Sequence, residues 1–121
     1  MRPHRLLYIT ENSHQISKSD RVVGFFVYDK YKELVAPIDG VLVAEGTCRA
    51  RYIVIKQGGF LGIKGKWTLI PRELYETEDL GKVETSLSSQ SLQDSPSPND
   101  IRNLTDTEEE QVRGYFNLEP A

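Results

Sequence analysis

The sequence predicts a mainly β protein, a small antiparallel β-barrel of about six strands with a short C-terminal helix. Two observations support this fold class. Short runs rich in β-branched and aromatic residues recur along residues 6–86, and Gly, Pro, Asp and Asn stand between them. Because these turn signals lie close together and no internal repeat is present, a small barrel is favoured over a parallel sheet.

The predicted strands follow one another with short connections. Residues 21–28 form one strand, and residues 29–33 form a hairpin loop that leads into the next strand, residues 34–44. Pro37 and Gly40 predict that this second strand is bent, bulged or at an edge near those positions, since proline lacks a backbone donor and glycine weakens a ladder. Further strands are expected over residues 6–10, 49–56, 67–70 and 82–86.

Composition divides the chain into three predicted parts. Residues 1–19 form an N-terminal extension with the first strand, residues 20–93 form the barrel, and residues 94–121 form an acidic Ser- and Pro-rich linker followed by a helix. Thr105 and Glu108 have the spacing of a capping box, which predicts a helix over residues of about 106–117. The helix is expected to dock through one apolar face, formed by Val112, Tyr115, Phe116 and Leu118. The acidic run Glu108–Glu110 is expected on its solvated side.

Length and composition exclude several classes of protein. The chain has 121 residues and a formal net charge of −3, which fits one small domain. The single Cys48 excludes an internal disulfide framework. The longest apolar stretch, residues 22–28, is much shorter than the ~20 residues that cross a bilayer. No membrane insertion is therefore expected, and a cytoplasmic location is predicted.

Charge is unevenly distributed. Residues 1–79 carry 12 Lys and Arg against 10 Asp and Glu, whereas residues 80–121 carry 3 against 8. Basic and aromatic side chains occur together in the middle of the chain and would suit nucleic acid: Arg49, Arg51, Lys56, Lys64, Lys66, Tyr52, Phe60 and Trp67. However, strand alternation divides the basic groups between two faces, and the whole chain is acidic, so nucleic-acid binding is not expected.

No constellation of catalytic or metal-binding residues emerges. The glycine-rich residues 58–67 fail the phosphate-loop pattern, because Trp67 follows Lys66 where Ser or Thr is needed, and they predict a turn between strands. Cys48 has no evident base, and the spacing of His4 and His14 suits neither a helix nor a strand metal site. The prediction is a protein without catalytic residues, metal or cofactor.

Several short motifs occur in a characteristic order. Tyr52-Ile53-Val54-Ile55, Gly58-Gly59-Phe60-Leu61-Gly62 and Leu69-Ile70-Pro71 follow Val23-Gly24 and Val27-Tyr28-Asp29. This series resembles the PRC-barrel family, named for the soluble domain of the photosynthetic reaction centre H subunit. The resemblance covers residues of about 20–117. It implies a β-barrel of about six strands that serves as a binding or assembly module.

The first functional hypothesis is a non-catalytic protein-interaction module that self-associates as a homodimer, because exposed apolar side chains on a small barrel favour an isologous contact. The residues expected at such a surface are Phe60, Trp67, Tyr115, Phe116, Arg49 and Arg51. Two alternatives follow from the resemblance. One is a ribosome- or RNA-associated accessory factor, since the family includes a ribosome maturation factor. The other is an accessory of a photosynthetic electron-transfer complex, by analogy with the H subunit.

Overall fold

The computed structural model describes residues 5–58 and 65–120. The strands of this part are β1 (Leu6–Ile9), β2 (Phe26–Tyr28), β3 (Leu34–Ala44), β4 (Ala50–Gly58), β5 (Gly65–Pro71), β6 (Tyr75–Glu78) and β7 (Lys82–Thr85). The helices are α1 (Ser89–Asp94) and α2 (Asp106–Tyr115), and short 3-10 turns span Lys18–Asp20, Arg72–Leu74 and Ile101–Asn103.

The long strand β3 organises the sheet. One edge of β3 pairs with β4, and the other edge is shared by β2, opposite residues 34–37, and β1, opposite residues 41–44. The strand order is β5-β4-β3-β2-β7-β6, with β1 joined to β3. The sheet curls into a half-barrel, which confirms the predicted mainly β, barrel-like fold with a C-terminal helix.

The sheet is mixed rather than wholly antiparallel. β2 and β7 pair in parallel, with Val27 opposite Val83. The sequence did not predict β6, which pairs with β7 as a hairpin and brings Tyr75 opposite Thr85. This β6–β7 hairpin joins the rest of the sheet where β7 pairs with β2, and these two strands run in the same direction. β2 is also shorter than predicted, because Gly24 adopts a φ of 87° and turns the chain before Phe26.

Two apolar clusters lie on opposite sides of the central strands. The first contains Ile53 and Ile55 of β4, together with β2, β7 and the segment before β2. The second contains Tyr52 and Val54 of β4 and the buried side chains of α2. β4 is therefore covered on both faces, as its continuous apolar run requires. Helix α2 docks on the sheet of its own chain.

The predicted linker over residues 94–103 is an ordered connection. Leu92 of α1 is fully buried, and Ile101 and Leu104 pack into the second cluster. The Ser and Pro content of this segment predicted a solvated backbone. Burial of the apolar side chains of Ile101 and Leu104 instead stabilises an ordered path of the chain. The segment thus anchors α2 at a fixed place on the sheet.

The start of α2 matches the predicted capping box. The Thr105 hydroxyl accepts a hydrogen bond from the Glu108 amide at 3.1 Å, and the Glu108 carboxylate accepts one from the Thr105 amide at 3.0 Å. The Glu108 carboxylate also accepts the Asn99 amide at 2.8 Å. These backbone hydrogen bonds, from Asn99 first and then from Thr105, lower the pKa of Glu108.

Gly40 lies where the register of β3 against β4 shifts, which confirms the predicted irregularity of this strand. A Cβ atom at Gly40 would lie 2.6 Å from Cε1 of Tyr8 and 2.8 Å from the backbone oxygen of Ile9. We therefore expect Gly40→Ala to lower the free energy of unfolding by about 2 kcal/mol, since the backbone of β1 must shift. Urea denaturation measures this change.

The matched control is Gly114→Ala in helix α2. Apart from the neighbouring backbone of its own helix, a Cβ atom at Gly114 would meet no heavy atom of the described residues within 4 Å. Alanine has the higher helix propensity, so this variant should be more stable by up to about 1 kcal/mol. Equal stability changes in the two variants would contradict a close approach of β1 to Gly40.

Candidate functional site

The outer side of β2 and the adjoining half of β3 carries apolar side chains. Val27 is fully buried, and its neighbours Phe26 and Tyr28 lie on the opposite side of the sheet, because successive side chains alternate. Phe26 pairs with Pro37, and Tyr28 pairs with Leu34. Phe26 is 46% exposed and Leu34 is 58% exposed. Phe26, Leu34 and Pro37 form what we call the outer apolar face.

Charges of both signs border the outer apolar face. In the parallel pair, Lys82 stands opposite Phe26 and Glu84 opposite Tyr28. The Lys82 ammonium lies 5.3 Å from the centroid of the Tyr28 ring. The Lys32 ammonium lies 3.3 Å from Oε1 of Glu84, but both side chains are partly exposed, so this ion pair adds little stability.

The loop between β2 and β3 is held by a buried carboxylate. Asp29 accepts hydrogen bonds from the amides of Tyr31 and Glu33, at 2.8 and 3.0 Å. Its other oxygen accepts the Ser89 hydroxyl of α1 at 2.6 Å. The Ser89 hydrogen bond is the main cause of a lowered pKa of Asp29. The carboxylate thus stays ionised at neutral pH and fixes the end of β3 that bears Leu34.

Trp67, which the sequence placed at an interaction surface, does not belong to the outer apolar face. Trp67 is half-buried on β5, with its ring centroid 6.1 Å from that of Tyr8 and 4.9 Å from the Lys56 ammonium. Phe60 falls outside the described residues, as do residues 59–64 of the predicted glycine-rich turn and His4. Trp67 therefore has neighbours of its own chain on two sides.

The aromatic residues of α2 contribute to its attachment. Phe116 is buried in the second cluster. The Tyr115 ring lies 4.9 Å from that of Phe116, and its hydroxyl donates to the Ser91 carbonyl of α1 at 2.8 Å. Tyr115 keeps a partly exposed edge, and Phe116 serves the helix interface.

The two arginines predicted at the surface are engaged in ion pairs. Nε of Arg49 lies 3.3 Å from a carboxylate oxygen of Asp20. Nη1 of Arg51 lies 3.2 Å from Oε2 of Glu109. Glu109 is buried, so the expectation of a fully solvated Glu108–Glu110 run is wrong at this residue. Contact with Arg51 and with the Tyr52 hydroxyl, at 2.6 Å, compensates its burial.

The phenol of Tyr52 acts as a hydrogen-bond donor at this buried contact. Burial first, and then its hydrogen bond to Glu109, raises the pKa of Tyr52. The hydroxyl therefore remains protonated and donates to the carboxylate. This hydrogen bond joins β4 to α2 and has a structural role.

Other reactive groups are dispersed. Cys48 is exposed in the turn after β3, where it adopts a φ of 58° and its carbonyl accepts the Ser17 amide at 2.7 Å. Within residues 5–58 and 65–120, no group of three or more His, Cys, Asp or Glu side chains is placed to hold a metal ion. In the same residues, no helix has the length and apolarity that a bilayer span requires.

Comparisons with known proteins give no family assignment. Neither a scan against models of protein families nor a search of curated proteins finds a match for this chain.

The outer apolar face was missed by the sequence analysis. The run over residues 21–28 is apolar on both sides of the strand, which predicts a strand but does not indicate which side is exposed. When apolar residues occupy both the even and the odd positions of a strand, both faces of the strand are apolar. Such a strand is either covered on both faces or has an exposed apolar face. Within the described residues, β4 is covered on both faces, whereas Phe26 on the outer side of β2 is exposed.

Proposed function

We propose that the chain is a non-catalytic protein-interaction module of the PRC-barrel type that self-associates through its outer apolar face. The observation that carries this proposal is the exposure of Phe26 and Leu34 on adjacent strands of an otherwise well-packed sheet. Adjacent exposed apolar side chains on a sheet are typical of interaction surfaces. The motif order across β4 and β5, together with a curled sheet and a terminal helix, supports the PRC-barrel assignment.

The charges around the face favour a second copy of the same chain as its occupant. Lys82 and Glu84 are two residues apart on β7 and extend to the same side of the strand. In an isologous dimer, the same surface patch of each copy contacts the other copy. A patch that carries both positive and negative charges can therefore be complementary to itself. Lys82 of one copy would then meet Glu84 of the second copy.

Analytical ultracentrifugation tests this proposal. We expect the wild-type chain to form dimers at protein concentrations up to about 1 mM, where weak association is populated. Leu34→Glu should abolish the dimer, because a charge at this exposed position must be desolvated on association. Gln111→Glu adds the same charge at an exposed position of α2 and should leave the dimer intact. A wild-type chain that stays monomeric over this range would overturn the proposal.

Charge reversal on β7 tests the orientation of the dimer. Lys82→Glu and Glu84→Lys should each weaken association, because each places like charges together across the interface. The double variant should restore it, since the pair is only exchanged. If Trp67→Ala abolished the dimer while these variants did not change it, the interface would lie at β5 instead.

A further inference from the structure

Three arginines line one cavity on the side of the barrel near the turn between β3 and β4. The cavity has a volume of about 400 Å³ and shares no residue with the outer apolar face. Its lining residues are Arg49, Arg51, Arg72, Ala44, Ala50, Thr47 and Glu73.

A buried carboxylate holds two of these arginines in place. Asp20 is 1% exposed, and its two oxygens lie 3.3 Å from Nε of Arg49 and 3.3 Å from Nε of Arg72. The backbone amide of Ala50 donates to the same carboxylate at 3.0 Å. Because both ion pairs use Nε, the terminal nitrogens of Arg49 remain available to a ligand. Arginines held in this way lose little conformational freedom on binding.

The turn that carries the cavity is fixed by its own hydrogen bonds. The Thr47 hydroxyl donates to the Ala44 carbonyl at 2.7 Å and accepts the Arg49 amide at 3.0 Å. The walls formed by Ala44 and Ala50 are apolar and bear no competing polar side-chain atoms. The cavity therefore presents guanidinium groups from a rigid frame.

The charges around the cavity leave an excess of positive charge. Asp20 is a single carboxylate shared by Arg49 and Arg72. The third arginine, Arg51, pairs with Glu109. Glu73, the acidic residue of the lining, is engaged by the buried Arg113 of α2. Among these described residues, the four guanidinium groups of Arg49, Arg51, Arg72 and Arg113 outnumber the three carboxylates by one, which favours an anionic ligand.

We propose that this cavity binds a phosphate group, either as inorganic phosphate or as the phosphoryl group of a small phosphomonoester. Guanidinium groups match the oxygen geometry of phosphate and form charge-assisted hydrogen bonds with it. A phosphate group offers more acceptor oxygens than a carboxylate, so a cavity lined by several guanidinium groups suits phosphate. The volume of the cavity also leaves space for a small substituent beside Ala44 and Ala50.

Nuclear magnetic resonance titration with inorganic phosphate tests this site. We expect saturable shifts of the Nε–Hε signals of Arg49 and Arg72 and of the Ala50 amide. Arg49→Gln should weaken binding about tenfold, since one charge-assisted hydrogen bond has an effect of this size. Arg49 is 65% exposed at its side chain, so this variant should fold normally. Arg72→Lys retains the charge but removes the planar fork and should also weaken binding.

The control Lys30→Gln removes one positive charge from an exposed side chain outside this cavity. It should bind phosphate as tightly as the wild type. Parallel titrations with phenyl phosphate and acetate separate the ligand types. Tighter binding of phenyl phosphate assigns the site to a phosphomonoester, and equal binding assigns it to free phosphate.

Three results would overturn the proposal: no saturable shift at these arginines, equal weakening by Lys30→Gln and Arg49→Gln, or acetate binding as strong as that of phosphate. A single-stranded RNA oligomer that shifts the same signals at far lower concentration than phosphate would assign the arginines to nucleic acid instead.

Discussion

Replacing Glu109 with alanine should lower the free energy of unfolding by about 3 kcal/mol, because it removes one partner of a buried ion pair. Glu109 is 4% exposed and accepts the hydroxyl of Tyr52 and a guanidinium nitrogen of Arg51. In the variant, the fully buried Tyr52 loses the acceptor of its hydroxyl and Arg51 loses its ion pair. We expect the loss to appear first as weaker attachment of α2 to β4.

Urea denaturation gives the total change, and amide hydrogen exchange locates it. The amides of α2 should exchange faster in Glu109→Ala than in the wild type, while those of β3 retain most of their protection. The control is Glu110→Ala, which removes the neighbouring exposed carboxylate of the same helix and should change stability by less than about 0.5 kcal/mol. Similar effects of the two variants would contradict a structural role for the Glu109 contacts.

Replacing Asp20 with alanine should lower the free energy of unfolding by about 2 to 4 kcal/mol. The carboxylate is nearly inaccessible to solvent and joins three parts of the chain: the turn before β2, the start of β4 and the turn after β5. Its loss leaves the buried amide of Ala50 without an acceptor and removes the shared partner of Arg49 and Arg72. The buried amide should account for much of the effect, because both arginines are partly exposed.

Thermal and urea denaturation of Asp20→Ala, with Glu11→Ala as an exposed acidic control, measure this contribution. Asp20→Asn keeps an acceptor for the Ala50 amide but removes the charge, so it should lose less stability than Asp20→Ala. If Asp20→Asn were as unstable as Asp20→Ala, the ion pairs rather than the amide would carry the stability.

The strands with strong apolar patterning were predicted well. β3 has the predicted bounds, residues 34–44, and β4 and β7 differ from the prediction by at most two residues at either end. The apolar and β-branched runs of β3 and β4 are long enough to exceed the local turn signals on either side. The capping box of α2 was predicted equally well, because its hydrogen bonds are formed between residues three apart in sequence.

Features that depend on distant residues could not be predicted. β6 has the sequence Tyr-Glu-Thr-Glu, which lacks the apolar signal of a covered strand, and among the described strands its one partner is β7. Burial of Glu109 depends on partners 57 and 58 residues away in sequence. The convergence of Arg49 and Arg72 likewise depends on Asp20, which lies 29 residues before Arg49 and 52 residues before Arg72 in sequence. No local pattern encodes such contacts.

The proposed self-association through the outer apolar face is tested directly by isotope-filtered nuclear Overhauser spectroscopy. A sample that mixes carbon-13-labelled and unlabelled chains reports only contacts between copies. We predict intermolecular signals from the Phe26 ring and the Leu34 methyl groups, and their loss in Leu34→Glu. Intermolecular signals confined to Trp67 or to α2, or their complete absence at concentrations near 1 mM, would contradict association through this face.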